Sequence, residues 1–248
     1  MPSKTKDWPK IGSGKTYFHR VHYPLQCLIF ISPLLLFYQI ASVVPAITTN
    51  PQHSQVVAFI LMLNFFKFLG IFGSILPMLA VVVILLCWHL ARKDPWEFDP
   101  KLYGGMAIES VLWGIPFYII GLAVARHIPI GAAGQQQASW STDVVLSVGA
   151  GVYEEFLFRF VAFALLHLIL VDIFEVKEQI AIPVIILASA AGFSAYHYMG
   201  TESFTMGSFL FRFAMGIYLA GVYYFRGYGI TVGTHTVYDL IVVTLSRP

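Results

Sequence analysis

Long apolar stretches separated by short polar breaks form the main pattern along the chain. The first runs over about residues 23–47 and contains three prolines. It is longer than the roughly 7–15 apolar residues of a secretory signal, so we predict a retained first membrane span. Residues 56–91 form an apolar run that is too long for one span of about 20 residues. Lys67 and Pro77 interrupt this run, which indicates a short interfacial or re-entrant helix near 56–68 and a span near 70–91.

Five further apolar stretches follow, and each is long enough to cross a bilayer as a helix. They lie near residues 104–125, 143–170, 181–199, 207–225 and 229–246. The polar breaks at 48–55, 92–97 and 126–142 read as aqueous loops. A helix satisfies its own backbone hydrogen bonds in lipid, where water cannot. The pattern therefore predicts an all-α, polytopic transmembrane helix bundle with about seven or eight spans.

The composition supports a membrane protein and argues against a soluble one. The 248 residues are 58% hydrophobic and 11% charged, with a mean hydropathy of +0.74, whereas a soluble domain carries about 25% charged residues. Cys27 and Cys87 both fall in apolar stretches, so we expect two buried free thiols and no disulfide framework. The expected partners are membrane lipid and a peptide or protein substrate, and no nucleic acid.

The positions of Lys and Arg predict the orientation. Residues 1–20 form a basic tail that we expect to be poorly ordered. If the N-terminus is cytoplasmic, this tail and the loops at 92–101, 171–180 and 226–228 hold ten of the fifteen basic residues. Cytoplasmic loops carry the excess of Lys and Arg. We therefore expect a multi-pass protein with a cytoplasmic N-terminus, in a bacterial plasma membrane given the short chain without a retrieval signal.

Ionisable residues concentrate in the last four predicted spans. An ionisable side chain within a span is costly and marks function by default. The set consists of Glu154, Glu155, Arg159, His197, Arg212, His235 and Asp239. So many polar groups in a short stretch of apolar sequence require one another as partners.

The first of these segments places two adjacent glutamates one turn before an arginine. Glu155 and Arg159 are four residues apart on a helix, with the acid N-terminal, which favours an ion pair. Glu154 is rotated by about 100° from Glu155 and projects elsewhere. An unpaired carboxylate in a low-dielectric site suits a general base. The alternative is a purely structural ion-pair cluster that holds helices together.

Two later spans carry histidines at helical spacing. Phe193 and His197 lie four residues apart, as do His235 and Asp239. Either segment alone is compatible with a structural role, as a core histidine or as a histidine–aspartate hydrogen bond. The order along the chain is EExxxR, then FxxxH, then HxxxD, each on its own helix.

This three-part set resembles the CPBP family of CAAX proteases and bacteriocin-processing proteins, which includes the type II CAAX prenyl endopeptidases. The resemblance covers about residues 141–246. It implies an intramembrane endopeptidase with its catalytic core in the C-terminal four helices. The corresponding division is a basic cytoplasmic tail at 1–20, an N-terminal transmembrane region at 21–140 and the protease core at 141–248. Residues 1–140 resemble no family that we can name.

The resemblance also implies roles for individual residues. Glu154 corresponds to the base that activates water, and His197 to a residue that binds or polarises that water. Glu155 and Arg159 fall at supporting positions, and His235 and Asp239 at the pair that stabilises the oxyanion. The family often has asparagine at the last position. An ionised aspartate would repel an oxyanion. Asp239 is therefore either protonated in its buried site, or it orients His235, which then acts as the donor; we prefer the second.

The family is often called a metalloprotease family, which raises the question of zinc. Glu154, His197, His235 and Asp239 are residue types that bind zinc. However, the chain has no HExxH motif, and a zinc-bound Glu154 would leave no second base. A glutamate-and-water mechanism uses every residue without a cofactor. We therefore predict no cofactor, with zinc on these four residues as the alternative.

Two other classes of function compete with proteolysis. A non-catalytic membrane scaffold or bacteriocin-immunity protein would use the polar cluster for packing and for binding a partner. A transporter would use it as a proton relay, but such transporters usually contain internal repeats, and we find none. Aromatic residues near the motifs could line a substrate cavity, although we expect most of them to face lipid: Phe156, Phe158, Phe160, Tyr196, Tyr198, Tyr223 and Tyr224.

Overall fold

The computed structural model describes residues 16–42, 55–127, 139–200 and 203–245, and all of their regular elements are helices. The helices are α1 (Tyr17–Arg20), α2 (Pro24–Ala41), α3 (Val57–Phe68), α4 (Leu76–Arg92), α5 (Pro100–His127), α6 (Trp140–Ile173), α7 (Glu178–Tyr196), α8 (Met206–Arg226) and α9 (Tyr228–Leu245). The predicted all-α bundle is therefore confirmed.

Five of these helices are long and apolar enough to cross a membrane, namely α2, α5, α6, α7 and α8. Helices α3 and α4 are apolar but shorter, which agrees with the predicted division of residues 56–91. Helix α9 has 18 residues and carries a polar stripe that includes His235 and Asp239. The predicted polar breaks at 48–55 and 126–142 lie mostly outside the described residues. The number of membrane crossings stays a prediction.

One end of the bundle, which we call the Arg20 end, is held together by polar contacts. Arg20 forms ion pairs with Asp99 at 2.8 Å and with Glu97 at 3.4 Å. Gln26 donates a hydrogen bond to the Glu97 carbonyl oxygen. These contacts join α1 and the start of α2 to the α4–α5 loop. Chain direction places the α6–α7 and α8–α9 connections at the same end.

Two titratable groups at the Arg20 end have shifted pKa values. The hydrogen bond from the Arg20 guanidinium holds the pKa of the Asp99 carboxyl below its usual value. Burial lowers the pKa of His22 to about 4, and the nearby positive charge of Arg226 acts in the same direction. His22 lies against Gly227, whose φ of 82° is left-handed and therefore suits glycine in the turn between α8 and α9.

The opposite end, which we call the His197 end, contains the end of α5, the start of α6 and the α7–α8 connection. Between the two ends, α6 packs closely on α9. A Cβ atom on Gly151 would lie 2.1 Å from Oγ1 of Thr236, so only glycine permits this approach. The contact brings the two glutamates of α6 next to His235. Helix α6 is π-helical at Ala150–Glu154 and Phe156–Val161, a rare geometry that is frequent at functional sites.

Three expectations from the sequence need correction. The tail is ordered from residue 16 onward, because Tyr17–Arg20 forms α1 and Arg20 is ion-paired; Lys4, Lys6, Lys10 and Lys15 lie outside the described residues. Cys27 is buried as expected, but Cys87 is exposed on α4. Two of the seven aromatic residues near the motifs, Phe156 and Tyr196, are buried and do not face lipid, whereas the other five are partly exposed.

Candidate active site

The predicted ion pair on α6 is present and completely buried. Nη1 of Arg159 donates to Oε1 of Glu155 at 3.1 Å, and both side chains have no exposed surface. A second guanidinium nitrogen donates to the carbonyl oxygen of Gly216 on α8. The guanidinium carbon lies 4.2 Å from the centre of the Phe193 ring, a cation–π contact. The ion pair therefore joins α6, α7 and α8.

The same oxygen of Glu155 also accepts a hydrogen bond from α9. Nδ1 of His235 lies 2.7 Å from Oε1 of Glu155. A carboxylate only accepts hydrogen bonds, so Nδ1 carries the proton of this contact. Glu155 thereby connects Arg159 with His235 and sets the orientation of the imidazole ring.

Glu154 has a separate partner, as its predicted rotation away from Glu155 requires. The hydroxyl of Tyr196 donates to Oε1 of Glu154 at 2.7 Å. The second oxygen, Oε2, lies 3.9 Å from Nε2 of His235, which is beyond hydrogen-bonding distance. Glu154 is 5% exposed. One oxygen is therefore fixed by tyrosine, and the other faces the imidazole across a gap.

His197 is the first residue after α7 and is half-buried. Its Nδ1 lies 2.8 Å from the carbonyl oxygen of Phe193. Because a carbonyl oxygen accepts, Nδ1 is the protonated nitrogen, and a neutral ring then has its lone pair on Nε2. The ring contacts both Phe193 and Tyr196, with centroid separations of 5.0 and 4.7 Å.

Asp239 approaches the other side of the His235 ring. Its Oδ2 lies 3.5 Å from Nε2 of His235, and its side chain is 24% exposed. The short hydrogen bond to the ring comes from Glu155 and not from Asp239. The expectation that Asp239 orients His235 is therefore corrected: Glu155 sets the ring orientation, and Asp239 adds negative charge beside Nε2.

The cluster retains unused hydrogen-bonding capacity. Oε2 of Glu155 and Nε of Arg159 are buried without a hydrogen-bond partner among the residues described. The hydroxyl oxygens of Thr234 and Thr236, the residues before and after His235, are also buried without a hydrogen-bond partner among the residues described. Buried polar atoms are usually paired, and an exception requires an explanation such as a catalytic role.

The zinc alternative requires several ligands around one point. Within the described part of the chain, no group of three or more His, Cys, Asp and Glu side chains could hold a metal ion. Nδ1 of His197 contacts a backbone carbonyl and Nδ1 of His235 contacts Glu155, so any metal bound by these rings would be bound through Nε2. The choice between a metal-free site and zinc on Glu154, His197, His235 and Asp239 therefore stays a prediction.

The structure brings five of the six predicted site residues into one network on α6 and α9, namely Glu154, Glu155, Arg159, His235 and Asp239. His197, at the end of α7, is connected to this network through Phe193 and Tyr196. Sequence reasoning missed two contacts. Tyr196 was grouped with the aromatic residues but not identified as the donor to Glu154, although its place directly before His197 was a usable signal. The contact between Phe193 and Arg159 crosses from one helix to another, so helical spacing could not indicate it.

Comparison with known families identifies the part of the chain that contains this site. Residues 136–241 match the family described as type II CAAX prenyl endopeptidase Rce1-like. Searches of curated proteins and of solved structures found no match. The matched range contains all three motifs and the complete polar cluster, so residues 136–241 form an Rce1-like domain of the CAAX protease family.

Proposed function

We propose that the protein is an endopeptidase that hydrolyses a peptide bond of a membrane-associated substrate with water activated by Glu154 and His197. The match of residues 136–241 to this family supports CAAX-type intramembrane protease activity in general. The observation that carries the proposal is the different treatment of two adjacent carboxylates. Glu155 is bound by Arg159 and His235, whereas Glu154 keeps Oε2 outside any short hydrogen bond to the ring.

Glu154 is the general base in this proposal. Tyr196 holds Oε1, so Oε2 is the oxygen that accepts a proton from water. The water oxygen then attacks the substrate carbonyl carbon. The protonated Glu154 passes the proton to the amide nitrogen as the carbon–nitrogen bond breaks. His197, with Nδ1 on the Phe193 carbonyl, presents Nε2 as an acceptor that orients the water.

His235 stabilises the oxyanion through Nε2. Because Nδ1–H is donated to Glu155, Nε2 can donate only when the ring is doubly protonated. Asp239 at 3.5 Å and Glu154 at 3.9 Å favour a proton at that nitrogen. Asp239 therefore supports the charge on the ring and does not contact the oxyanion. The scheme uses no metal or other cofactor, and its partners are membrane lipid and a peptide or protein substrate.

The decisive experiment compares Glu154→Gln with wild-type protein. Glutamine keeps the size of the side chain and can accept from Tyr196, but it cannot accept the proton of water. We expect proteolysis to be lost while the melting temperature in detergent stays close to that of the wild type. Activity is measured by proteomics, which compares the termini of membrane peptides between cells that contain either protein. This comparison detects cleavage of any substrate that the cells contain.

The same experiment separates proteolysis from a scaffold or immunity role. A scaffold would use the cluster only for packing, so wild-type and Glu154→Gln cells would produce the same peptide termini. That result, with both proteins expressed and folded, would exclude the proposed mechanism.

A further inference from the structure

Helix α3 lies outside the Rce1-like domain, but its first turn reaches the candidate active site. The helix begins after the N-cap residue Val56, whose side chain does not cap it. The first N–H groups of a helix have no partner within that helix. The hydroxyl of Tyr38 on α2 accepts from the N–H of Val56 at 3.3 Å. The N–H of Ala58 faces the hydroxyl of Tyr196 at the end of α7. Two tyrosines of other helices therefore cap α3.

The contact of α3 with Tyr196 continues to the proposed catalytic base. A tyrosine hydroxyl both accepts and donates hydrogen bonds, and that of Tyr196 donates to Oε1 of Glu154 at 2.7 Å. Ala58 is 0% exposed and Tyr196 is 5% exposed, so bulk water does not compete for these groups. In such a chain of polar groups each hydrogen bond strengthens the next. The first turn of α3 is therefore linked to one oxygen of Glu154.

Aromatic rings fix α3 against α6 beside the base. Phe59 is 1% exposed, and its ring centroid lies 5.1 Å from that of Tyr153 and 5.3 Å from that of Tyr38. All of these contacts are edge-to-face, a favourable arrangement of rings. The Tyr38 ring lies so close to α6 that a Cβ atom on Gly149 would be 2.2 Å from it. Since Tyr153 directly precedes Glu154, this packing fixes α3 one residue away from the base.

We propose that α3 positions the catalytic base: its first turn holds the Tyr196 hydroxyl, which in turn holds Oε1 of Glu154. Ala58 and Phe59 are then positioning residues for the reaction. The N-terminal region, which the family match does not include, contributes to the active site in this way. The inference rests on the proposed function, in which Glu154 is the base.

The first test compares the same substitution at two positions of α3. Phe59→Leu removes the ring that packs on Tyr153, whereas Phe65→Leu changes a side chain that is 59% exposed. The substrate is a synthetic peptide with a cleavage site mapped by comparing wild-type and Glu154→Gln cells. We expect Phe59→Leu to lower kcat with little change in KM, because the base loses its geometry. Phe65→Leu should change neither, and equal kcat values in the two folded variants would overturn the proposal.

A milder pair of variants decides the question if Phe59→Leu does not fold. Tyr38→Phe keeps the ring and removes only the acceptor of the Val56 N–H. Its control is Tyr218→Phe, because the Tyr218 hydroxyl donates to the carbonyl oxygen of Trp113 at 2.7 Å, outside the site. We expect kcat to fall about two- to tenfold in Tyr38→Phe, the rate equivalent of one neutral hydrogen bond, and to stay unchanged in Tyr218→Phe. Wild-type kcat in Tyr38→Phe contradicts the proposal.

A double-mutant cycle separates positioning through Tyr196 from a general structural role. Mutations that act through one network are not additive. Tyr38→Phe should therefore have little further effect on kcat in the Tyr196→Phe background. A helix that only supports the fold would lower kcat by the same factor in both backgrounds, so additive effects would overturn the proposal.

The same cycle on the melting temperature in detergent requires no activity. The losses of stability in Tyr38→Phe and Tyr196→Phe should not add, because both tyrosines cap the first turn of α3. Additive losses would show that α3 and Tyr196 are not coupled. If no cleavage depends on Glu154, the proposed function fails, while this cycle still reports whether α3 holds Tyr196. The two failures are therefore distinguishable.

Discussion

Two of the carboxylate–arginine clusters in the described part of the chain resemble each other in composition and differ in how many of their polar atoms have hydrogen-bond partners. At the Arg20 end, Glu109 accepts from Arg226 and Trp113 at Oε1 and from Tyr17 and Arg226 at Oε2. In the candidate active site, Oε2 of Glu155 is buried without a partner among the described residues.

The two ion pairs differ in how many of their carboxylate oxygens have partners. The Glu109 cluster joins α1, α5 and the end of α8, and both carboxylate oxygens are occupied. The Glu154–Glu155 cluster also joins several helices, but it leaves acceptor and donor positions available. Free positions are costly in a buried site, so their retention favours a role in binding or catalysis.

The largest expected difference concerns stability. Glu155→Gln leaves Arg159 buried without its charge partner, and breaking a fully buried pair costs about 3–5 kcal/mol. Glu109→Gln should cost less, about 1.5–3 kcal/mol for the loss of a charged hydrogen bond, because Glu109 and Arg226 remain 16% and 9% exposed. Thermal unfolding in detergent measures both variants. Equal melting temperatures of the two variants would show that the two clusters do not differ in their contribution to stability.

The next expected effect concerns the rate of proteolysis. His235→Ala removes the proposed oxyanion donor, and such a loss lowers the rate by about 10²–10³-fold. His22→Ala is the control, because this buried histidine lies beside Gly227 at the Arg20 end and outside the candidate site. It should leave the turnover of correctly folded protein unchanged. The assignment of His235 as the oxyanion donor is tested by the ratio of the two turnover numbers, each corrected for the amount of folded protein.

A matched pair of tyrosine substitutions separates the roles of the two clusters. Tyr196 and Tyr17 each donate to a glutamate at 2.7 Å, one in each cluster. A hydrogen bond to a charged group contributes about 1.5–3 kcal/mol. Tyr196→Phe should lower kcat by about tenfold or more, since 1.4 kcal/mol corresponds to a factor of ten, with little change in KM. Tyr17→Phe should lower stability only. A similar loss of kcat in both variants would show that the two clusters do not have separate roles.

The smallest expected effects are those of the Asp239→Asn substitution and, separately, of treating the wild-type protein with a chelator. Asp239 lies 3.5 Å from Nε2 of His235 and makes no short hydrogen bond to the ring. We therefore expect substantial activity in this variant, together with a shift of the pH–rate profile as the negative charge is removed. A strong chelator should leave wild-type activity intact. One tightly bound zinc per active chain, with reversible loss of activity on chelation, would restore the metal alternative.

The sequence alone determined the fold class and the pairing of Glu155 with Arg159. Apolar stretches of about 20 residues identify membrane helices because lipid admits few other backbone structures. Helical spacing predicted the Glu155–Arg159 pair and the separation of Glu154 from it, since both are properties of a single helix. The three motifs also selected residues that the folded chain brings together on α6, α7 and α9.

Tertiary structure decided everything that depends on the packing of one helix against another. Tyr196 as the donor to Glu154, and Glu155 as the partner of His235, are contacts between residues 42 and 80 positions apart. The close approach of α6 to α9 at Gly151 creates the second contact. Sequence spacing along one helix contains no information on such pairs. The ring contacts of Phe156 and Phe160 on α6 with Tyr228 on α9 likewise follow from packing.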